Sequence, residues 1–227
     1  MKILAIGCSF TYGAELPDCD LDTLYIKKRP SNLAYPSLLG KLYDAEVVNL
    51  SVPGGSNGRI FRLAIDAVAL DHYDLVICGW TDHCRADFRY NNNDLPTTAL
   101  STWATDQFPW LSHYYKYHHE YNHSWQVWLT QLLALQSHFK HIGQKYIFLS
   151  MHEPLYGGAK LFKHVSDQID PTYYIGWPKF GMTTFMGDCP KGPGGHPLEL
   201  GHQRIAERID EHIRNLSWFP RCSSHSN

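Results

Sequence analysis

Three short apolar runs, KILAIG (2–7), AEVVNLS (45–51) and DLVICG (74–79), each stop at a glycine or a serine. A fourth, KYIFLSM (145–151), follows later. Such runs are rich in Val and Ile and nearly free of polar alternation, the pattern of strands buried on both faces. Between them lie helical patterns. YPSLLGKLYD is one, and in NGRIFRLAIDAVAL residues Ile60, Leu63, Ala64, Ala67 and Val68 recur at helical spacing. SWQVWLTQLLALQSHF reads as an amphipathic helix capped near Ser124. The order βαβαβ…αβ predicts a parallel sheet with helices on both faces.

The 227 residues suit one domain, 1–227, and 44% hydrophobic against 19% charged residues is enough for a sizeable core. Two stretches break the strand–helix rhythm. Residues 85–123 are dense in aromatics, Asn and His, and 152–194 carry Pro, Gly and aromatics; both are expected to be lids or binding loops. The closing segment GHPLELGHQRIAERIDEHIRNL ends in a helix with Ile205, Ala206, Ile209 and Ile213 on one face.

Lys and Arg total 20 against 22 acidic residues, a formal charge of -2, and no basic stripe marks a nucleic-acid partner. No apolar stretch approaches the ~18 residues of a membrane span. The first run is too short for a secretory signal, so a cytoplasmic protein is expected, in a bacterial or phage-infected cell, with a virion as the other setting. Six dispersed cysteines without a C-x-x-C pair are expected to be free thiols.

In a parallel sheet, chemistry gathers at the carboxyl ends of the strands, where IGCSFTYG falls. A P-loop needs Gly-Lys-Ser/Thr after four residues, and no lysine follows Gly13. A dinucleotide fingerprint needs G-x-G-x-x-G, and that is missing too. A nucleophile on a strand-to-helix turn fits better, with Ser9 or Cys8 as the reactive group. The plainer alternatives are Ser9 as a helix cap and Cys8 as a small residue buried under the turn.

Four blocks in order along nearly the whole chain resemble those of the SGNH, or GDSL-type, esterase and lipase family. IGCSFTYG is similar to its first block, G-D-S, with Cys8 where aspartate is usual and Ser9 at the nucleophile. NLSVPGGSN matches the second, with Gly54 at the oxyanion-binding glycine, and CGWTDH matches the third, keeping Gly79 and Asp82 with Thr81 in place of asparagine. GPGGHPLELGH matches the last, D-x-x-H, with His196 at the general base and Pro193 where the aspartate belongs. The GCSF start resembles phage and bacterial members.

The resemblance implies a three-layer α/β/α sandwich with a mostly parallel, flavodoxin-like sheet. It implies a serine esterase without cofactor or metal, acting on small carboxylic esters or O-acetyl groups on glycans. Ser9, His196 and Asp188 form its catalytic set, Asp188 standing in for the absent aspartate, with His202 as the rival base. Backbone N–H groups of Ser9 and Gly54, with Thr81, are the oxyanion donors. Trp80, Asp82, Trp103 and Trp110 are expected to line the substrate, beside Tyr114, Tyr115 and Tyr117.

Two other readings stand beside this one. The substitutions at Pro193 and Thr81 suit a fold that serves as a binding or virion structural protein. HEYNH (119–123) satisfies H-E-x-x-H, which on a helix lets His119 and His123 share a zinc ion while Glu120 activates water. Its surroundings lack apolar backing, and no third ligand is obvious among His138, His141 and Glu153.

Overall fold

The computed structural model describes residues 1–19, 29–86, 89–90, 93–94, 109–154 and 161–219. Its centre is a four-stranded, all-parallel sheet of β1 (Lys2–Ile6), β2 (Glu46–Asn49), β3 (Leu75–Trp80) and β6 (Tyr146–Ser150), ordered β2-β1-β3-β6. The register runs Ile3 to Val47 on one side of β1 and Ile3 to Leu75 on the other, with Cys78 opposite Phe148 beyond.

Alternation along each strand supplies two cores. Leu4, Ile6, Val76, Cys78, Trp80, Tyr146 and Phe148 face α3 (Asn57–Leu70) and α5 (Tyr121–His141). Ile3, Leu75, Ile77, Ile147 and Leu149 face α2 (Tyr35–Tyr43), α7 (Met182–Met186) and α8 (Glu199–Asn215). Side chains from successive residues leave opposite faces of a strand, so both layers must be apolar, and that is why the runs read as continuous. Each fully buried Leu or Ile contributes about 1.5–3 kcal/mol relative to exposure. The result is the expected three-layer α/β/α sandwich.

Boundaries moved where capping decided them. Helix α5 starts at Tyr121 and not near Ser124, because the Glu120 carboxylate accepts the N–H of Asn122 at 3.0 Å and that of His123. The 85–123 stretch is more regular than its composition suggests. It contains the antiparallel pair β4 (Arg89–Tyr90) and β5 (Asn93–Asp94), then α4 (Pro109–Tyr117). A proline at the first helical position gives up an N–H that would have had no partner. The 152–194 stretch contributes α6 (Lys163–Ser166), packed beside α5, and α7, packed beside α8.

Candidate functional site

At the end of β1 the chain turns through Gly7 and Cys8 into the single helical turn α1 (Ser9–Tyr12), closed by Gly13 at φ 83°. A Cβ on Gly7 would lie 2.1 Å from Thr11 Oγ1, and one on Gly79 would lie 2.5 Å from the same atom. Both glycines therefore admit Thr11, whose hydroxyl meets Tyr35 Oη at 3.0 Å in the interior. That buried post fixes α1 between β1 and β3. Cys8 takes the N-cap position, fully buried with its Sγ 3.6 Å from Met151 Sδ, so the thiol points into the core. Ser9 is the first helical residue and not the cap. Among the described residues its hydroxyl has no hydrogen-bond partner.

The loop after β2 closes on this turn. Gly55 makes the close approach, since a Cβ there would meet Gly7 O at 2.9 Å, and its N–H is bonded to Val52 O at 3.1 Å. Gly54 stands one residue earlier in the left-handed region, φ 74°, half-buried. Thr81 is buried and clamped to α3: its N–H donates to Asn57 Oδ1 at 2.8 Å, and Asn57 Nδ2 donates to Thr81 O at 3.0 Å. The Thr81 hydroxyl is directed at Met151 Sδ, 3.9 Å away. Asn57 was not singled out by sequence; an asparagine one residue past the PGGS turn was the available signal.

His196 has an acidic partner, and it is Glu15. The Glu15 Oε2 atom accepts from His196 Nδ1 at 2.8 Å and from the His196 N–H at 3.1 Å, while Oε1 accepts from the Gly194 N–H at 2.6 Å. Burial works against the Glu15 charge, but these N–H groups and the imidazole outweigh it and hold the carboxyl below its usual range. Glu15 itself adopts φ 70°, a conformation uncommon for a residue with a side chain, which the three bonds hold in place. Gly192 and Gly194 make the space: a Cβ on Gly192 would sit 2.6 Å from Glu15 Oε2. The GPGG run is thus a cradle for a carboxylate that lies 179 residues before Gly194 in sequence.

Asp188, the expected partner, is corrected accordingly. Its side chain is 98% exposed and pairs with Arg204 at 3.2 Å, which holds its carboxyl low without involving His196. His202 is likewise not a base facing Ser9. It is completely buried, stacks on Tyr35 with 6.2 Å between ring centres, and accepts the Tyr35 N–H on Nδ1 at 3.2 Å.

Burial pushes His202 down to about 4, with the nearby His196 adding to the effect. A folded-state value below the unfolded ~6.5 means that the unfolded chain binds the proton first. Stability attached to neutral His202 is complete above pH ~6.5 and falls as pH drops toward 4, by roughly 3 kcal/mol in all. Urea unfolding at pH 7 and pH 5 is expected to show a smaller loss for His202→Gln than for the wild type, and an equal loss would contradict this.

Phe10, the residue after Ser9, has its ring 5.8 Å from the His196 ring and 6.4 Å from that of His152. No hydrogen bond joins Ser9 Oγ to His196 among the described residues. Such contacts are often long before substrate arrives. His152, at the end of β6, is a site neighbour that the sequence did not mark, and burial lowers its proton affinity.

The substrate-lining residues divide. Trp80 is fully buried, edge-on to Phe148 at 5.6 Å within the core under α5, and so is unavailable to a ligand. Asp82 is exposed after β3, its Oδ1 accepting the Cys84 N–H at 2.7 Å. Trp110 is 47% exposed on α4. Trp103 lies outside the described residues. A 160 Å³ cavity is lined by Thr81, Asp82, His83, Trp125, His152 and Glu153.

The zinc-protease arrangement of HEYNH is not formed. His119 precedes α5 and Glu120 is spent as its N-cap, so the two histidines do not share a helical face. Around the loop after β3, burial pushes His83 down to about 4 and Cys84 up to about 12, so both rest uncharged.

Solved structures share this fold. TesA covers 95% of this chain and 99% of its own at 16% identity and a TM-score of 0.57. The esterase EstA from Pseudoalteromonas sp. covers 95% and 98% at 14% identity and 0.55. A family two carbohydrate esterase from Clostridium thermocellum, solved with cellohexaose, matches over 96% of this chain and 65% of its own at 15% identity and 0.53. A putative lipolytic protein of G-D-S-L family from Desulfitobacterium hafniense DCB-2 shares the architecture over 93% of this chain and 98% of its own, at 14% identity and 0.52. No curated protein sequence matches this one. No helix among the described residues is long and apolar enough to cross a membrane. One family model does match, over residues 14–225, a stretch that starts after the Ser9 turn and holds Glu15, the loops after β2 and β3 and His196, and on it the chain belongs to the family described as "Family of unknown function (DUF6071)".

Proposed function

We propose that the protein is a serine esterase that cleaves small carboxylic esters with Ser9, His196 and Glu15. The observation that carries this reading is the His196–Glu15 pair. A charged carboxylate on Nδ1 keeps the proton there, leaving Nε2 free to accept one. A scaffold or binding protein has no need of a left-handed glutamate held by a glycine cradle against a histidine beside a serine turn.

In the mechanism, His196 Nε2 takes the Ser9 proton as Oγ attacks the ester carbonyl. Glu15 stabilises the imidazolium that forms. The oxyanion is received by the N–H groups of Ser9 and Gly54, neither of which has a backbone partner among the described residues. Thr81 differs from the asparagine of the resembled motif, and its hydroxyl turns toward Met151. It supports the oxyanion region through the Asn57 clamp and not as a direct donor. His196 then protonates the leaving alcohol, and water activated by the same nitrogen releases the acid from Ser9. The 160 Å³ cavity beside Thr81 suits a short acyl group such as acetyl, and a carbohydrate esterase stands among the fold neighbours, which together make O-acetyl groups on glycans the substrate class of this reading.

Labelling with a fluorophosphonate probe, read by intact mass, tests the reading. One adduct is expected on the wild type and none on Ser9→Ala or His196→Ala. A folded wild-type protein that takes no adduct would shift the assignment to a binding or virion structural role.

A further inference from the structure

We infer that Tyr35 is a positioning residue of the ester site, tying the turn that carries Ser9 to the helix that follows His196. This role rests on the serine-esterase reading. The two halves of the site come from opposite ends of the chain, and neither fixes itself. Helix α1 is a single turn of four residues, Ser9–Tyr12, too short to be stable alone. His196 sits on the loop that runs into α8.

Tyr35 is fully buried at the first position of α2, and its backbone, ring and hydroxyl are all engaged. Its N–H donates to His202 Nδ1 at 3.2 Å, and its ring stacks on that imidazole at an interplanar angle of 18°. Ala34, at the N-cap position, has no side-chain oxygen to receive the N–H groups of the first turn. His202, reaching across from α8, receives one instead. That bond needs a lone pair on Nδ1, so it belongs to the neutral imidazole.

At the far end of the same side chain, Oη meets Thr11 Oγ1 at 3.0 Å. Gly79 on β3 admits the pair, since a Cβ there would lie 2.5 Å from Thr11 Oγ1 and 3.1 Å from Tyr35 Oη. The Thr11 carbonyl accepts from Asn49 Nδ2 at 2.9 Å, and Asn49 Oδ1 accepts the Ser51 N–H at 3.0 Å. The loop that carries Gly54 is thereby referenced to the same threonine. One tyrosine thus sets α1 against α8 through buried polar bonds of fixed length and direction. Packing alone would let a four-residue turn slide, and a displacement of about 1 Å costs about 10²-fold in rate.

The rate of fluorophosphonate labelling tests this role, with thermal unfolding measured on the same full-length samples. Tyr35→Phe keeps the ring stack and the N–H bond and removes Oη alone. It is expected to label at least about tenfold more slowly than the wild type, and its Tm should fall because Thr11 is left with a buried, unpaired hydroxyl. Thr11→Val should behave alike, while Thr11→Ser, which keeps the hydroxyl, should label within about threefold of the wild type. The double variant Tyr35→Phe/Thr11→Val separates positioning from stability. With both polar partners replaced by apolar groups its Tm should return toward the wild-type value, yet its labelling should stay slow. On a short-chain ester the loss should fall on kcat, with KM within about twofold. Labelling that recovers along with Tm in the double variant would make the pair structural only. Tyr35→Phe labelling at the wild-type rate would overturn the role and leave the esterase reading standing, whereas a wild type that takes no adduct would remove both.

Discussion

Ser9→Ala is expected to lower kcat on a short-chain ester by about 10⁴-fold or more, a loss of about 5 kcal/mol of transition-state stabilisation. The methyl group removes the only atom able to bond the acyl carbon, while the oxyanion N–H groups and the base remain. What persists is the weak catalysis of positioning and electrostatics alone. The fold should hardly notice. Ser9 is nearly buried at the first position of α1, its hydroxyl has no hydrogen-bond partner among the described residues, and alanine is the better helix former. Paired kinetics and thermal unfolding decide it: a large fall in kcat with an unchanged Tm is the expected pattern. A variant that keeps activity within tenfold of wild type would remove Ser9 from the chemistry, and Cys8 could not replace it, being sealed against Met151.

Why the turn that carries Ser9 was legible in the sequence and the His196–Glu15 contact was not follows from the range of the forces involved. The strands were legible because burial on both faces writes itself into a contiguous run, as in LVICGW of β3. The strand-to-helix turn that carries Ser9 was legible because Gly7 and Gly13 are local steric requirements. The His196–Glu15 pair was not, because it is a contact between residues 15 and 196 that only the tertiary fold brings together. Its traces were present singly: an isolated Glu after Gly13, and the glycines of GPGG. Nothing local joins them, and Asp188, close to His196 along the chain, drew the assignment on proximity. Trp80 misled in the other direction. An aromatic residue ahead of Thr-Asp reads as a substrate wall, yet as the last residue of β3 its side chain takes the inward turn of the strand alternation, onto Phe148. HEYNH failed for a capping reason, since a glutamate that can accept two N–H groups starts the helix between its histidines.

Glu15→Gln should cost about 10³–10⁴-fold in kcat, whereas Asp188→Asn should stay within twofold. The Glu15 carboxylate receives three N–H donors on two oxygens. Glutamine offers one oxygen. If that oxygen faces His196, the new NH₂ group opposes the Gly194 N–H, donor against donor. If it faces Gly194, it opposes His196 Nδ1 and drives the imidazole to the tautomer whose Nε2 is already protonated and cannot act as a base. The charge that steadied the imidazolium is gone in both cases. Stability should fall as well, by about 1–3 kcal/mol near neutral pH. Because the folded-state value of Glu15 lies below the unfolded ~4.3, its stabilisation is complete above that value and fades as pH falls through the folded one. The stability gap between wild type and Glu15→Gln should therefore narrow in acid. Asp188→Asn loses only a solvent-exposed pair with Arg204, of a kind that contributes little. The reverse ranking, a crippled Asp188→Asn beside an active Glu15→Gln, would mean that the loop from 188 to 196 rearranges to bring aspartate to the histidine when substrate binds.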